Sequence, residues 1–356
     1  MKPSFYQYPL QELESLFLTH GLHPSGPGLL FNWHYKKRKT DPCLQNLAKD
    51  SIHFVKENFN FKLPKIELTQ ASDDKTVKFL FVLEDGKKVE TVLIPFSGKY
   101  TICLSSQVGC AMKCSFCHTG IQGLARNLRT EEIIGQFMEA QKWLSENRPD
   151  DDKILNIVFM GQGEPLHNFD AVKNACQIFL SQHGLSIADQ KITISTAGYL
   201  PGLERWKDEM PKVNIALSLH SPLKEKRDQL IPINKKYPLE EVLKYVDSIP
   251  EGKNRFVTYE YLLINNFNDT DEDAHLTGKL LQGRKAYISL IPFNPFPDTP
   301  YERPALEKVE KFKSILDQYR IPTLIRATKG DQILAACGQL NSKPSSRPPQ
   351  LHPSEN

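Results

Sequence analysis

No stretch of this chain approaches the roughly 20 uninterrupted apolar residues that a membrane-spanning helix requires. The opening, Met1-Lys2-Pro3-Ser4-Phe5-Tyr6-Gln7, has neither the apolar core nor the small-residue cleavage site of a secretory signal. Charge of one sign is also scarce: 45 Lys+Arg stand against 42 Asp+Glu, a formal net charge of +3. A surplus that small neither demonstrates nor excludes a nucleic-acid partner. A disulfide framework is missing too. There are seven cysteines, an odd number, and four of them (Cys103, Cys110, Cys114 and Cys117) are crowded together. That pattern fits a metal or redox site in a reducing cytosol better than a secreted scaffold. These absences lead to the expectation of a cytoplasmic protein with no membrane partner.

What is present is an ordinary globular balance, 40% hydrophobic and 24% charged over 356 residues. The length suggests about two domains at roughly 150 residues each, and it suffices to bury a sizeable core. Residues 1–60 read as a small helical unit: Leu10, Leu13, Leu16 and Phe17 recur at helical spacing, as do Leu44, Leu47, Ile52 and Val55. Between them lies His34-Tyr35-Lys36-Lys37-Arg38-Lys39, either a solvated surface run or a phosphate contact. Residues 61–98 read as a β-hairpin linker or extension. Its two β-rich runs, Val77–Leu83 and Val89–Ile94, flank an Asp85-Gly86 turn. Glu90 sits inside the second run, where a carboxylate faces water by default.

From residue 99 to 340 the rhythm is strand, loop, helix. Candidate strands are Tyr100–Ser105, Ile154–Met160, Lys191–Ser195, Val213–Leu219, Arg255–Leu263, Ala286–Pro292 and Thr323–Arg326. The clearest helix runs from Thr130, read as its cap, to Leu144, with Ile133, Ile134, Phe137, Ala140 and Leu144 on one stripe. The expected fold class is therefore α/β, a parallel sheet with helices outside, and six or seven units suggest a full or partial (βα) barrel. The tail, residues 341–356, is Pro/Ser-rich and reads as disordered.

The strongest signal is Cys110-Ala111-Met112-Lys113-Cys114-Ser115-Phe116-Cys117, a CxxxCxxC run on the loop after the first barrel strand. Thiolates suit zinc or iron–sulfur centres. Structural zinc wants four ligands, usually as two separated pairs, so zinc would need His118 or a distant cysteine. A cubane cluster held by three cysteines leaves one iron open to a small molecule.

Further motifs follow in order. Thr101-Ile102-Cys103-Leu104-Ser105-Ser106-Gln107-Val108-Gly109 leads into the cysteine run. Met160-Gly161-Gln162-Gly163-Glu164-Pro165-Leu166 follows the second barrel strand, Ser218-Leu219-His220-Ser221 the fourth, and Ala335-Ala336-Cys337-Gly338-Gln339-Leu340 lies near the end. Together they resemble the RlmN/Cfr family of radical S-adenosylmethionine (SAM) RNA adenine methyltransferases, over nearly the whole chain. The resemblance implies a partial (βα)6-type radical SAM barrel with the helical unit and hairpin in front. It also implies one [4Fe-4S] cluster on Cys110, Cys114 and Cys117, and two SAM molecules per turnover.

The family methylates an adenine ring carbon, which is electrophilic and cannot take a methyl group by ordinary displacement. A carbon radical can add to it, and only a cofactor can generate that radical. By resemblance, one SAM methylates Cys337 and a second is cleaved at the cluster to a deoxyadenosyl radical. That radical takes a hydrogen from the methyl group, and the methylene radical adds to adenine. Glu90 then removes the ring proton, and Cys103 attacks the sulfur of Cys337 to release the RNA and leave a disulfide. Gly163, Glu164, Ser195, Ser218, Leu219, His220 and Asn294 match the family's SAM contacts. The implied substrates are an adenosine of 23S rRNA in the peptidyl-transferase centre and one of tRNA beside the anticodon. The implied partner is a reductant such as flavodoxin or ferredoxin, and the expected state is a monomer.

Pro165 is typical of the branch that modifies adenine C2; the antibiotic-resistance branch acts at C8 and is the alternative, as is another radical SAM enzyme with the same cluster. Gln162 replaces an apolar residue of many relatives, and His118 stands where small residues are common. Read alone, Cys337 and Cys103 could each be buried filler, and His220 a hydrogen-bonded structural residue. Cys43 and Cys176 match no motif and read as structural.

Overall fold

The computed structural model describes residues 2–39, 46–151, 153–250 and 255–341. Cys43 and residues 342–356, on which expectations were placed, lie outside the described residues.

The chain opens with three helices, α1 (Leu10–Thr19), α2 (Gly26–Phe31) and α3 (Lys49–Asn58). Their apolar sides meet around Phe5, Leu13, Phe17, Phe31 and Val55, all fully buried. In the basic run, His34 and Tyr35 turn inward while Lys36, Lys37, Arg38 and Lys39 are exposed. The run is thus half core and half solvated, as alternate faces of a helical turn require.

Three antiparallel strands follow: β1 (Lys65–Ala71), β2 (Val77–Val82) and β3 (Lys88–Phe96). The edge strand β1 is mostly exposed and lacks the apolar alternation that marks β2 and β3, so sequence patterning does not reveal it. The extension is continuous with the barrel, because β3 pairs antiparallel with β4 (Lys99–Cys103). A short ribbon, β5 (Gln107–Gly109) with β6 (Leu124–Asn127), brackets the cysteine run, and a five-residue helix, α4 (His118–Gln122), closes it.

The βα units then alternate: α5 (Thr130–Asn147), β7 (Ile154–Phe159), α6 (Phe169–Leu180), β8 (Ile192–Thr196), α7 (Leu200–Glu209), β9 (Asn214–Ser218), α8 (Lys224–Leu230), α9 (Leu239–Val246), β10 (Val257–Leu263), α10 (Asp271–Leu281), β11 (Ala286–Pro292), α11 (Leu306–Asp317) and β12 (Thr323–Ile325). Strand order is β1-β2-β3-β4-β7-β8-β9-β10-β11-β12, and every pair from β4 onward is parallel. The seven parallel strands correspond to the seven read from sequence, because strands covered on both faces are near-continuous Val/Ile/Leu runs.

Helix α5 shows why the helices sit outside. Ile133, Ile134, Phe137, Ala140 and Leu144 are all buried in the main core, with Val172 and Phe179 of α6 and Ile157 and Ile194 of the sheet. Thr130 is the first residue of this helix rather than its cap. Arg129 occupies the cap, and the Glu132 carboxylate accepts its backbone N–H at 2.8 Å, a capping box built by the acidic first turn.

Candidate active site: a thiol-lined pocket at the strand ends

Parallel strands collect ligands at their C-terminal ends, and the cavity here is found there. A pocket of about 140 Å³ is lined by all three cysteines of the run, by Gly163 and Glu164 after β7, and by Ser195, Ser218 and His220 at the ends of β8 and β9. Cys337 reaches it from the C-terminal loop. A smaller neighbour of about 70 Å³ holds Cys103, Asn294 and Arg326, and it shares Cys337 and Met160 with the first. Cys337 therefore stands on the wall common to both.

Burial acts alike on the three thiols of the run. It pushes Cys110 up to about 12 and raises Cys114 and Cys117. Such thiols ionise only when a metal centre supplies positive charge. Among the described residues no three His, Cys, Asp or Glu side chains close around a single ion. Three soft thiol donors on one pocket wall, each raised by its neighbours' charge or by burial, suit a cubane held by three cysteines. His118 Nε2 accepts from Asn341 Nδ2 at 2.8 Å and its ring stacks on Phe296, while its Nδ1 is buried without a hydrogen-bond partner among the described residues. The residues fit a three-cysteine iron–sulfur cluster.

The wall after β7 is equally specific. Gly163 has φ +108°, and a Cβ there would lie 2.6 Å from that of Gln107, so only glycine lets this loop approach. The next residue, Glu164, is buried, with its oxygens accepting the N–H groups of Leu166 at 3.0 Å and Ala197 at 2.8 Å. Desolvation still outweighs these bonds and lifts the carboxyl to about 7. An incoming ammonium group would hold it ionised. His220 accepts the Leu262 N–H on Nδ1 at 3.0 Å, and burial, with the Arg227 charge, depresses it to about 3. It is neutral, and Nε2 carries the proton. Ser195 Oγ donates to Glu260 Oε2 at 2.6 Å. Leu219 is fully buried and lines neither pocket; it contributes backbone, its carbonyl bonding to Arg227. Asn294 also lies outside the first pocket, where its Nδ2 donates to the Cys337 carbonyl at 3.2 Å.

Glu90 does not face water. It is 4% exposed, because both faces of β3 are covered and the C-terminal loop lies over this one. Register shows what shares the face: Leu80 pairs with Glu90, and Val92 pairs with both Lys78 and Cys103. Side chains alternate along strands, so Lys78, Glu90, Val92 and Cys103 point the same way. Val92 and Cys103 pack there against Ala335 and Leu340. Glu90 Oε1 pairs with Lys78 Nζ at 3.0 Å, and Oε2 accepts the Asn341 N–H at 2.6 Å. Burial raises its pKa against the opposing charge of Lys78. Cys103 is likewise pushed up to about 12, first by burial and then by Cys337, with the Arg326 charge opposing. Cys176 is buried in the main core, away from either pocket.

Several residues at the site have no role read from sequence. Gln162, fully buried, accepts the Glu90 N–H on Oε1 at 2.9 Å and so ties the loop after β7 to β3. Arg227, also buried, donates to the carbonyls of Ala197, Ser218 and Leu219 that end β8 and β9. Glu260 stands 3.5 Å from Arg326. The signal that could have found Glu260 and Lys78 is a charge inside an otherwise apolar strand, Tyr259-Glu260-Tyr261 and Val77-Lys78-Phe79. Arg227 and Arg326 have no such local mark.

Comparison with known proteins agrees with this geometry. Residues 104–277 match the radical SAM superfamily. The chain is 42% identical over 342 residues, 94% of its length and 96% of the relative's, to a probable dual-specificity RNA methyltransferase RlmN of Aquifex aeolicus. It is 40% identical over 323 residues to the dual-specificity RNA methyltransferase RlmN of Paracoccus denitrificans, covering 88% of this chain and 82% of that one. The crystal structure of a radical SAM methyltransferase from Sphaerobacter thermophilus superposes with a TM-score of 0.86 at 35% identity, over 96% of this chain and 100% of that one.

Proposed function

The chain belongs to the RlmN family of radical SAM RNA methyltransferases, and from that premise we propose that it methylates C2 of an adenosine in 23S rRNA and of one beside the tRNA anticodon. Cys110, Cys114 and Cys117 hold a [4Fe-4S] cluster in this reading, and Gly163, Glu164, Ser195, Ser218 and His220 form the SAM site, with Leu219 behind its wall and Asn294 beside Cys337 in the neighbouring pocket. When bound, the cluster and SAM supply a one-electron cleavage that produces a hydrogen-abstracting radical.

The chain's own residues do the rest. Glu164 receives the ammonium group of SAM and His220 offers an N–H. Cys337 accepts a methyl group on sulfur and carries it to the RNA carbon. Glu90 takes the ring proton. The radical adduct must lose one electron, which the cluster would accept when bound; the Cys103 thiol gives up its proton and bonds to the Cys337 sulfur, the sulfur–carbon bond breaks with its electron pair passing to carbon, and a proton converts that carbon to methyl. Thiolate is the attacking form. Residues 1–60 form an accessory unit that contacts RNA with Lys36–Lys39, residues 61–98 the extension, and residues 99–340 the barrel. A flavodoxin- or ferredoxin-type donor, a cytoplasmic setting and action as a monomer complete the proposal.

The observation that carries it is the position of Cys337, on the wall between the cofactor pocket and the pocket of Cys103. Anaerobic reconstitution followed by nucleoside mass spectrometry of treated rRNA and tRNA tests it. We expect 2-methyladenosine. Cleavage of SAM without methyladenosine in either RNA overturns the function, and 8-methyladenosine overturns the choice of carbon.

A further inference from the structure

The base assigned to Glu90 sits where a carboxylate is poorly placed to act. It is buried, and both of its oxygens are occupied. One partner is Lys78, itself buried, on the neighbouring strand β2. A buried ion pair is a poor device for stability alone, since a well-packed apolar pair often does as well or better. This pair has further contacts that an apolar pair could not make. Lys78 Nζ donates to the Leu334 carbonyl at 3.3 Å, and Glu90 accepts the Asn341 N–H. Leu334 and Asn341 flank the loop that bears Cys337. The ion pair thus grips both ends of the segment carrying the reactive thiol.

We infer that Lys78 is a positioning residue for the RNA step, supplying the counter-charge that Glu90 needs as a base and clasping, together with Glu90, the two ends of the Cys337 loop. The inference rests on the reading of Glu90 as the base. Oε2, held by the single Asn341 N–H, is the oxygen that takes the ring proton, while Lys78 keeps hold of Oε1. The groups facing the pair are few. Lys78 is the cation beside Glu90, Asn341 supplies the N–H, the Cys103 thiol of β4 shares the same sheet face, and His118 of α4 feels the charge of Lys78. Burial raises Glu90 and Lys78 opposes it, so loss of Lys78 raises it further. The ionised form is the base and exists above the pKa. Without Lys78, proton removal therefore requires higher pH.

The test uses reconstituted full-length enzyme with RNA across pH 6 to 9.5. It reads methylated nucleoside, RNA–protein adduct and methyl on Cys337. Lys78→Met should move the acid limb of nucleoside formation up by about 1–2 pH units, the size of a lost neighbouring charge. At neutral pH the adduct should build up and discharge when the pH is raised. Lys78→Arg should keep the wild-type limb and the wild-type methylation of Cys337, and cluster content should be unchanged in both. Should Lys78→Met fold poorly, Lys78→Gln, which keeps a polar donor without the charge, carries the same expectation. A limb at the wild-type pH in the neutral variant, or an equal shift in Lys78→Arg, overturns the inference. Glu90→Gln separates the two readings: full nucleoside formation by that variant removes Glu90 as base, whereas an inactive Glu90→Gln beside an unshifted neutral Lys78 variant removes only the role of Lys78.

Discussion

Single side chains at this site behave as their surroundings dictate. Cys103 is a thiol pushed up to about 12 by burial and by the nearby Cys337, so at neutral pH it is held protonated, and the proposed release step must draw its proton away. Cys103→Ala removes the attacking sulfur while leaving radical addition possible. RNA should then remain covalently attached to Cys337, seen as a protein–RNA band that resists denaturant. Absence of that band would count against the assigned pair. Glu164 holds its oxygens on two backbone N–H groups and faces the pocket. Glu164→Gln keeps the shape and removes the charge offered to an ammonium group. SAM affinity, measured by equilibrium dialysis, should fall on the order of ten- to a hundredfold, the 1–3 kcal/mol of a lost charged hydrogen bond. The cysteine run was legible as a ligand set because its spacing is local. The burial of Glu90 was not, because the covering loop comes from residues 334–341, far away in sequence.

At the scale of elements, the parallel strands could be read because both of their faces are buried and their residues are accordingly apolar. The edge strand β1 and the ribbon β5–β6 could not, since the one is exposed and the other holds together by pairing across a loop. Helix α5 carries its evidence in its stripe. Phe137 is 2% exposed between this helix and Phe179. Phe137→Ala should cost about 3–5 kcal/mol by denaturant unfolding, as for other large-to-small changes in a core, and a loss below about 1 kcal/mol would contradict the packing described. The Cys337 loop depends on a different feature. Gly338 has φ +86°, and a Cβ there would meet the Phe116 carbonyl at 3.2 Å. Gly338→Ala strains the backbone beside the thiol. It should reduce methyl transfer to Cys337 several-fold with cluster content unchanged, as intact-protein mass spectrometry would report.

For the whole molecule, the continuous ten-stranded sheet is what joins the separate parts of the chemistry. The antiparallel strands β2 and β3 bring Lys78 and Glu90 alongside Cys103 of β4, and the parallel strands beyond bring the cofactor wall. The C-terminal loop then lays Cys337 across the seam. Sequence order showed the motifs but not this convergence, since the hairpin read as a separate extension and its pairing with β4 is a tertiary fact. The account's central claim is that the methyl group reaches RNA by way of Cys337. Enzyme whose Cys337 already carries a deuterated methyl group, given unlabelled SAM and RNA for a single anaerobic turnover, tests this directly. The account predicts a labelled methyl group on adenine C2, lacking one deuterium. An unlabelled methyl group on the RNA, with the label still on the protein, would contradict it.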